Sequence, residues 1–316
     1  MKIAIIGAGL AGLAAGRGLV EAGHQVRLVD KGRGPGGRMS SRRVTTAMGE
    51  AGFDHGAQYF TVRDSGFREQ VLAWRELGLV AEWPAPGPGC WVGTPAMNAP
   101  VKHLAQDADV TWGARVDSMS GSAGSWALQG EAVPADTFEA VLLAVPSENA
   151  MPLLDDIAPA MASRARQTPA SPCWTVMAAF DAGVDFAADV AREDGAIGWA
   201  ARNSSKPGRT GPEAWVIQAG TAWSVTHLED SPGEVVPALL AAFAQRVGTI
   251  LPGVLSATAH RWRYAKSGNS GDVALWDSNL GLGACGDWLA GPRVESAWMS
   301  GVRLARLVGY SIAVAR

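Results

Sequence analysis

The chain has 316 residues, a formal net charge of −3, 47% hydrophobic residues and 18% charged residues. These values suit an ordinary soluble chain with room for two modest domains, and they give no electrostatic case for nucleic acid or an anionic membrane as partner. Cys90, Cys173 and Cys285 stand far apart with neither CxxC nor metal-ligand spacing. No metal site is expected, and a reducing cytoplasm is, since no leader precedes the first strand and no apolar run nears the ~20 residues of a membrane helix.

The first 30 residues carry the densest information. Lys2-Ile3-Ala4-Ile5-Ile6 reads as a short apolar strand running into Gly7-Ala8-Gly9-Leu10-Ala11-Gly12. A helix-forming run then reaches Ala22, and a second strand, Val26–Val29, ends at Asp30. Gly7 makes the tight turn, Gly9 lets the backbone approach a pyrophosphate, and Gly12 lets the helix pack on the strand. The helix N-terminus offers free N–H groups to the phosphates. Asp30, 18 residues after Gly12, is placed to accept hydrogen bonds from a ribose. Gly7, Gly9, Ala11, Gly12 and Asp30 are therefore candidate dinucleotide contacts.

The next segment narrows the dinucleotide to FAD. Lys31-Gly32-Arg33-Gly34-Pro35-Gly36-Gly37-Arg38 is a second glycine-rich stretch carrying cations, for which a plain NAD dehydrogenase has no need. It resembles the stretch that lies over the pyrophosphate and ribityl chain in glutathione-reductase-like and amine-oxidase-like flavoproteins, which adds Lys31, Gly37 and Arg38 as cofactor contacts. The basic run Arg38–Arg43 reads as phosphate-directed. Phe67, Val71, Trp74 and Leu77 have helical spacing; Pro84–Gly89 is an irregular connection; Asn98 is expected to cap a helix toward Gln106. Asp109–Val116 is expected to form a strand pair whose Val116 backbone meets the adenine, and Ala140–Pro146 a buried strand.

Trp174–Phe180, Gly198–Arg202, Ala214–Gly220, Val225–Leu228 and Ala257–Tyr264 are short, apolar and rich in β-branched or aromatic residues, and so predict an antiparallel sheet. One helix is expected over Pro237–Leu251. Near the far end, Gly283-Ala284-Cys285-Gly286-Asp287-Trp288 looks like a C-terminal FAD motif, with Asp287 holding the ribityl hydroxyls. A helix over Val294–Val308 follows. Its N-terminal residues, Val294 and Glu295, would face the flavin N1–C2=O edge, where negative charge collects on reduction. Leu304–Arg316 reads as the tail of that docked helix. The expected architecture is α/β: a Rossmann-type FAD-binding domain (residues 1–66, 100–160 and 261–316) with an inserted antiparallel-sheet substrate domain (67–99 and 161–260), of the p-hydroxybenzoate hydroxylase or amine oxidase type.

Several local strings are more specific than the glycine loops. They are Gly36–Arg42, Phe53-Asp54-His55-Gly56-Ala57-Gln58-Tyr59-Phe60-Thr61, Trp91–Gly93 with Pro95 and Met97, Trp199–Pro207, His260–Ala265 and Cys285–Trp288. Over nearly the whole chain they resemble the bacterial renalase-like flavoproteins, a branch near the amine oxidases. The resemblance implies an FAD-dependent oxidase of isomeric dihydronicotinamides (2- or 6-dihydro-NAD(P)). Hydride would pass to flavin N5, and oxygen as acceptor would give NAD(P)+ and hydrogen peroxide. Aromatisation of the nicotinamide drives such a transfer, so position matters more than a strong base. The resemblance adds Gly56, Ala57 and Gln58 as cofactor contacts. It places Gln58, Tyr59, Arg202, Asn203, His260, Trp262, Tyr264 and Trp288 about the substrate, with His260, Trp262 and Tyr264 on one face of a strand. Two departures stand out: a shorter segment between Trp83 and Trp91, and His55 where an apolar residue is expected. Competing readings are an amine oxidase, an NADPH-dependent flavin monooxygenase, and a non-catalytic flavin- or NAD(P)-binding sensor.

Overall fold

The structure is a computed structural model that describes residues 1–314, with side-chain exposure through Tyr310. The chain forms two units, residues 1–37, 101–170 and 267–316 in the first and 38–100 and 171–266 in the second.

The first unit is built on a six-stranded sheet in the order Leu275–Asp277, Leu282–Ala284, Ala140–Leu143, Lys2–Ile6, Gln25–Asp30, Val110–Trp112. All neighbours are parallel except the 275–277 edge strand. The Lys2–Ile6 strand lies inside the sheet, with Ile3 registered against Val26 on one side and Ala140 on the other. The chain therefore reverses its winding direction at this strand, and such a switch point is where open α/β sheets bind ligands at their carboxyl ends. Ala140–Leu143 is buried throughout, as an apolar run covered on both faces must be.

The first helix, Leu10–Glu21, packs against the last, Val294–Val314, through glycines. A Cβ on Gly301 would lie 2.1 Å from the Ala11 carbonyl oxygen, and one on Gly18 would lie 3.0 Å from the Ala305 methyl. The other face of the sheet buries Val141, Leu143, Trp126, Leu154 and Trp288. The expected 109–116 strand pair is not formed. Val110–Trp112 joins the large sheet, and Arg115–Ser122 pairs with Ser125–Glu131 in a separate three-stranded sheet. Gly113, at φ +71°, turns the chain between the two. Ala315 and Arg316, the end of the expected helical tail, lie outside the described residues.

The second unit carries a five-stranded antiparallel sheet in the order Val190–Asp194, Ile197–Arg202, Glu213–Ala219, Ser171–Phe180, Val254–Lys266. Period-two alternation divides its core. Trp174, Val176, Phe180, Trp215 and Ile217 meet Leu239 and Phe243 of the helix Pro232–Val247. Met177, Ala179, Ala214 and Val216 meet Ala51 and Phe53 of the hairpin Arg42–Thr46/Gly49–Phe53. That hairpin is why residues 38–66, expected in the cofactor domain, belong with the antiparallel sheet.

A smaller sheet (Phe60–Thr61, Cys90–Gly93, Val80–Glu82) packs with the helix Ser65–Glu76, whose first turn is capped by Asp64 accepting from Phe67 N at 2.9 Å. The helix expected from Asn98 spans Ala99–Ala105. Two local expectations fail. Val225–Leu228 is not a strand, because the helix Thr221–Thr226 occupies it, with Ser224 Oγ accepting from Trp174 N. The helix expected at 237–251 starts at Pro232, with Ser231 and Glu234 forming a capping box, and stops at Gly248 in the left-handed conformation (φ +70°). Pro237 is tolerated in its interior.

Gly301→Ala is expected to lower stability by about 1–3 kcal/mol, because any Cβ there drives the two helices apart. A fall in the urea midpoint with an unchanged slope is the check.

Candidate functional site

In the first unit the glycine-rich turn has the shape that a pyrophosphate requires. Gly7 sits at φ +103°, and a Cβ there would lie 2.6 Å from the Ala144 carbonyl oxygen; one on Gly12 would lie 2.0 Å from the Gly7 carbonyl oxygen. Both positions are filled by backbone. Beside Gly9, which caps the first helix, no atom comes within 4 Å of an added Cβ. The turn is thus closed on its protein side and open where the helix amides end. Gly37 (φ +52°) brings the second glycine-rich segment over this turn, with a Cβ position 3.6 Å from Gly9 Cα. The Asp30 carboxylate accepts from Ala8 N and from Gly32 N, each at 2.6 Å. It ties the two glycine loops together and keeps lone pairs for a further donor. Lys31 is exposed, and Val116 is half-buried in its strand opposite Gly130.

The C-terminal segment folds as a strand, a tight turn and a short helix. The strand Leu282–Ala284 runs into Gly286 at φ +152°, whose N–H donates to Ser300 Oγ at 2.8 Å. Asp287 opens a four-residue helix, and both it and Glu295 are buried. Trp288 is fully buried in the apolar core of this unit, and its indole nitrogen has no partner. Buried carboxylates, an open glycine cradle and an acid at the end of the second strand together fit a dinucleotide.

The second unit holds a buried polar cluster that sequence reasoning missed. Asp54 Oδ1 accepts from Ser41 Oγ at 2.7 Å and from Met97 N at 2.9 Å, while Oδ2 accepts from Lys206 Nζ at 3.2 Å and Arg209 Nη2 at 2.5 Å. The side chains of Asp54 and Lys206 are 1% and 0% exposed. Burial alone would raise the Asp54 pKa; Lys206, Arg209, the Met97 amide and Ser41 outweigh it and hold the carboxyl well below its usual range. Burial also pushes Lys206 down, to about 8, against the pull of Asp54 and with the help of Arg209. The partners lie 152 and 155 residues from Asp54 in sequence. No local pattern announces such a pairing; an acid directly after the buried Phe53 was the only signal.

Several expected substrate residues belong to this internal network. Gln58 Nε2 donates to the carbonyls of Asp54 (2.5 Å) and Gly56 (3.0 Å), and its Oε1 accepts from Lys206 at 3.3 Å. Asn203 accepts from Asp54 N and donates to the Gly52 carbonyl. The Arg202 guanidinium donates to the carbonyls of Val184 and Phe186, pairs with Glu213 at 3.3 Å and Asp189 at 3.5 Å, and lies over the Trp215 ring. Arg38 lends its carbonyl to Ala57 N at 2.8 Å, and a Cβ on Gly56 would lie 2.0 Å from that oxygen. Tyr59 packs beside Trp199, ring centroids 5.6 Å apart.

His260 and Trp262 do share a face, and they meet His55 there. Ring centroids are 4.4 Å apart for His260–Trp262, 5.1 Å for His55–His260 and 5.3 Å for the stacked His55–Trp262 pair. Trp262 Nε1 donates to the His55 carbonyl at 2.8 Å. A register shift between Ser171 and Cys173 falls opposite half-buried Tyr264. Burial, then His260 and Arg42, push His55 down to about 4 against the opposing pull of Asp54 and of a hydrogen bond to the Phe53 backbone; burial and Arg42 lower His260. Both imidazoles are therefore neutral at pH 7, and the cluster is an uncharged aromatic wall. Among the described residues no group of His, Cys, Asp and Glu could hold a metal ion, and no helix is long and apolar enough to cross a membrane.

Residues 5–73 match the model of an NAD(P)-binding Rossmann-like domain. Among solved structures the chain is similar to a protein from Exiguobacterium sp. 255-15 assigned as a protoporphyrinogen oxidase (11% identity, 98% of this chain and 99% of that one, TM-score 0.77). It is also similar to cyclohexylamine oxidase from Brevibacterium oxydans IH-35A (12% identity, 99% of each chain, TM-score 0.75). A redesigned putrescine oxidase gives 13% identity, 100% and 99% coverage and a TM-score of 0.62. The fold is thus a Rossmann-like dinucleotide-binding domain combined with an antiparallel sheet, as in these oxidases.

Because His55 is pushed from 6.5 to about 4, the unfolded chain binds more protons across that window, and stability present at pH 7 is lost as the pH falls through it. The loss attributable to His55 is about 3 kcal/mol. His55→Phe keeps the ring stack on Trp262 and should flatten this limb, as followed by urea unfolding between pH 7 and pH 4.

Proposed function

We propose that the chain is an FAD-dependent oxidoreductase, an oxidase that converts isomeric dihydronicotinamides (2- or 6-dihydro-NAD(P)) to NAD(P)+ with oxygen as acceptor. The observation that carries the cofactor assignment is the double glycine cradle, in which the space beside Gly9 stays open under Gly37 while Gly7 and Gly12 are closed by backbone. Bound FAD supplies a two-electron acceptor that oxygen regenerates with release of hydrogen peroxide.

In this reading the amides at Gly9, Leu10 and Ala11 hold the pyrophosphate and Asp30 the adenosine ribose, with Lys31, Gly37 and Val116 alongside. Asp287 holds the ribityl hydroxyls, and Val294 and Glu295 begin the helix that favours negative charge on the reduced ring. Arg38, Gly56, Ala57 and Gln58 are proposed as further cofactor contacts, through their backbone, because the Gln58 amide is already engaged. Tyr59, His260, Trp262 and Tyr264 are assigned to the substrate. Arg202, Asn203 and Trp288, whose contacts are internal, are not carried forward.

The neutral His55–His260–Trp262 wall suits a flat, uncharged dihydropyridine ring, which must be oriented but needs no strong base to lose hydride. The buried cluster beside it has two cations on one carboxylate, which disfavours a cationic amine. Amine oxidation remains the rival reading, because two of the similar structures are amine oxidases.

Anaerobic mixing of the yellow protein with 2-dihydro-NAD, 6-dihydro-NAD, NADH and a panel of amines separates the readings. Rapid bleaching of the visible flavin band by a dihydro isomer alone, with peroxide on admitting air, is the expected outcome; bleaching by amines alone would replace the proposal with amine oxidation. Asp287→Ala is expected to weaken FAD retention about tenfold or more, through loss of charge-assisted hydrogen bonds. Fluorescence of released FAD is the readout.

A further inference from the structure

Lysine is almost never fully buried unless a partner demands it, and Lys206 has no exposed side-chain surface. Neutralising Asp54 is not a sufficient reason. Arg209 already reaches the same carboxylate oxygen at 2.5 Å, and Ser41 and the Met97 amide satisfy the other. A second buried cation adds desolvation that an apolar side chain of equal length would avoid. What Lys206 alone adds is a bond to Gln58 Oε1, made while it also holds Asp54 Oδ2.

Asp54 and Gln58 are the two ends of one turn. The Gln58 amide reaches back to the carbonyls of Asp54 and Gly56, and Gln218 Nε2 donates to the Gly56 carbonyl at 2.8 Å. The ammonium therefore closes a ring of hydrogen bonds around Gly56 and Ala57. Trp83 covers it, its ring centroid 5.2 Å from Nζ.

We propose that Lys206 is a positioning residue that clamps both ends of the Asp54–Gln58 turn and so fixes the Gly56–Ala57 backbone for cofactor contact, an inference that rests on the FAD-oxidase reading. The charged groups facing Lys206 are Asp54 and Arg209. Loss of its proton would weaken both clamp bonds, because charge-assisted hydrogen bonds are roughly twice as strong as neutral ones.

Hydrogen exchange of the full-length protein tests the clamp without any turnover. In Lys206→Met, amides of 54–60 should exchange about tenfold faster or more while the 232–247 helix stays unchanged, and Lys206→Arg should restore most of the protection. In the wild type, protection of 54–60, corrected for intrinsic rate, should fall as the pH rises through about 8, and Lys206→Arg should stay flat. Unchanged protection of 54–60 in Lys206→Met, or equal acceleration in 232–247, overturns the proposal. If Lys206→Met does not fold, Lys206→Gln is read in its place, and unchanged protection of 54–60 in it overturns the proposal equally. FAD retention is measured on the same samples. A loosened turn with unaltered retention overturns the positioning role. A wild type that shows the exchange pattern but binds no FAD supports the clamp and overturns the FAD reading instead.

Discussion

The carboxylate of Asp54 is where the second unit is tied together. Four donors from three separate stretches of chain converge on its two oxygens: Ser41, the Met97 amide, and Lys206 with Arg209. A buried carboxylate is tolerated only when its lone pairs and charge are both answered. That requirement forces the segments around residues 41, 54, 97 and 203–209 into one arrangement. Removing one member of such a group leaves an unanswered charge, which costs about 3–5 kcal/mol. The aromatic wall inherits this order. His55 follows Asp54 directly, and its carbonyl anchors the Trp262 indole, so the ring cluster is held in place by the carboxylate's own backbone.

The first unit meets a different constraint, since in the proposed complex its backbone must come close to a doubly charged pyrophosphate. Here the constraint is absence of volume rather than charge. Gly7 and Gly12 allow the strand, turn and helix to touch, and Gly301 lets the last helix close on Ala11 of the first. Asp30 then links the two glycine loops through the amides of Ala8 and Gly32. A single acid at the end of the second strand thus shapes the cradle while facing the ribose in the proposed complex.

Legibility in the sequence followed the range of the forces involved. The Rossmann-like half was readable because its determinants are local: apolar strand, glycine spacing and terminal acid lie within 30 residues, and the Gly286-Asp287 motif is as compact. The antiparallel sheet was readable from its β-branched and aromatic strands. Where a local signal was overridden, tertiary contacts were responsible. Val225 and its neighbours have strand-like composition, yet Ser224 caps the backbone of Trp174 from a helix. The Pro237 start was misplaced because the capping box at Ser231 and Glu234 outweighs a proline read as a helix beginning. The resemblance places Arg202 and Asn203 about the substrate, whereas carbonyls and carboxylates of the same unit, distant in sequence, engage them. The Asp54–Lys206–Arg209 cluster was invisible because nothing in sequence links positions more than 150 residues apart.

The chemistry proposed for this chain asks little of its side chains as acids, bases or nucleophiles. Hydride loss from a dihydronicotinamide is driven by aromatisation, so the protein needs neither a nucleophile nor a poised general base, and it must hold a donor carbon within about 3–3.5 Å of its acceptor. Groups that titrate near neutrality would only add pH sensitivity to that task. The second unit instead pushes His55 and His260 below neutrality by burial and positive neighbours, and it keeps Asp54 ionised by pairing it. Lys206, held near 8 by its burial, faces Asp54 and Gln58. In the proposed reaction, a wall of neutral rings beside an ionised carboxylate would select by shape and hydrogen bonding rather than by proton transfer, as a position-limited hydride transfer requires.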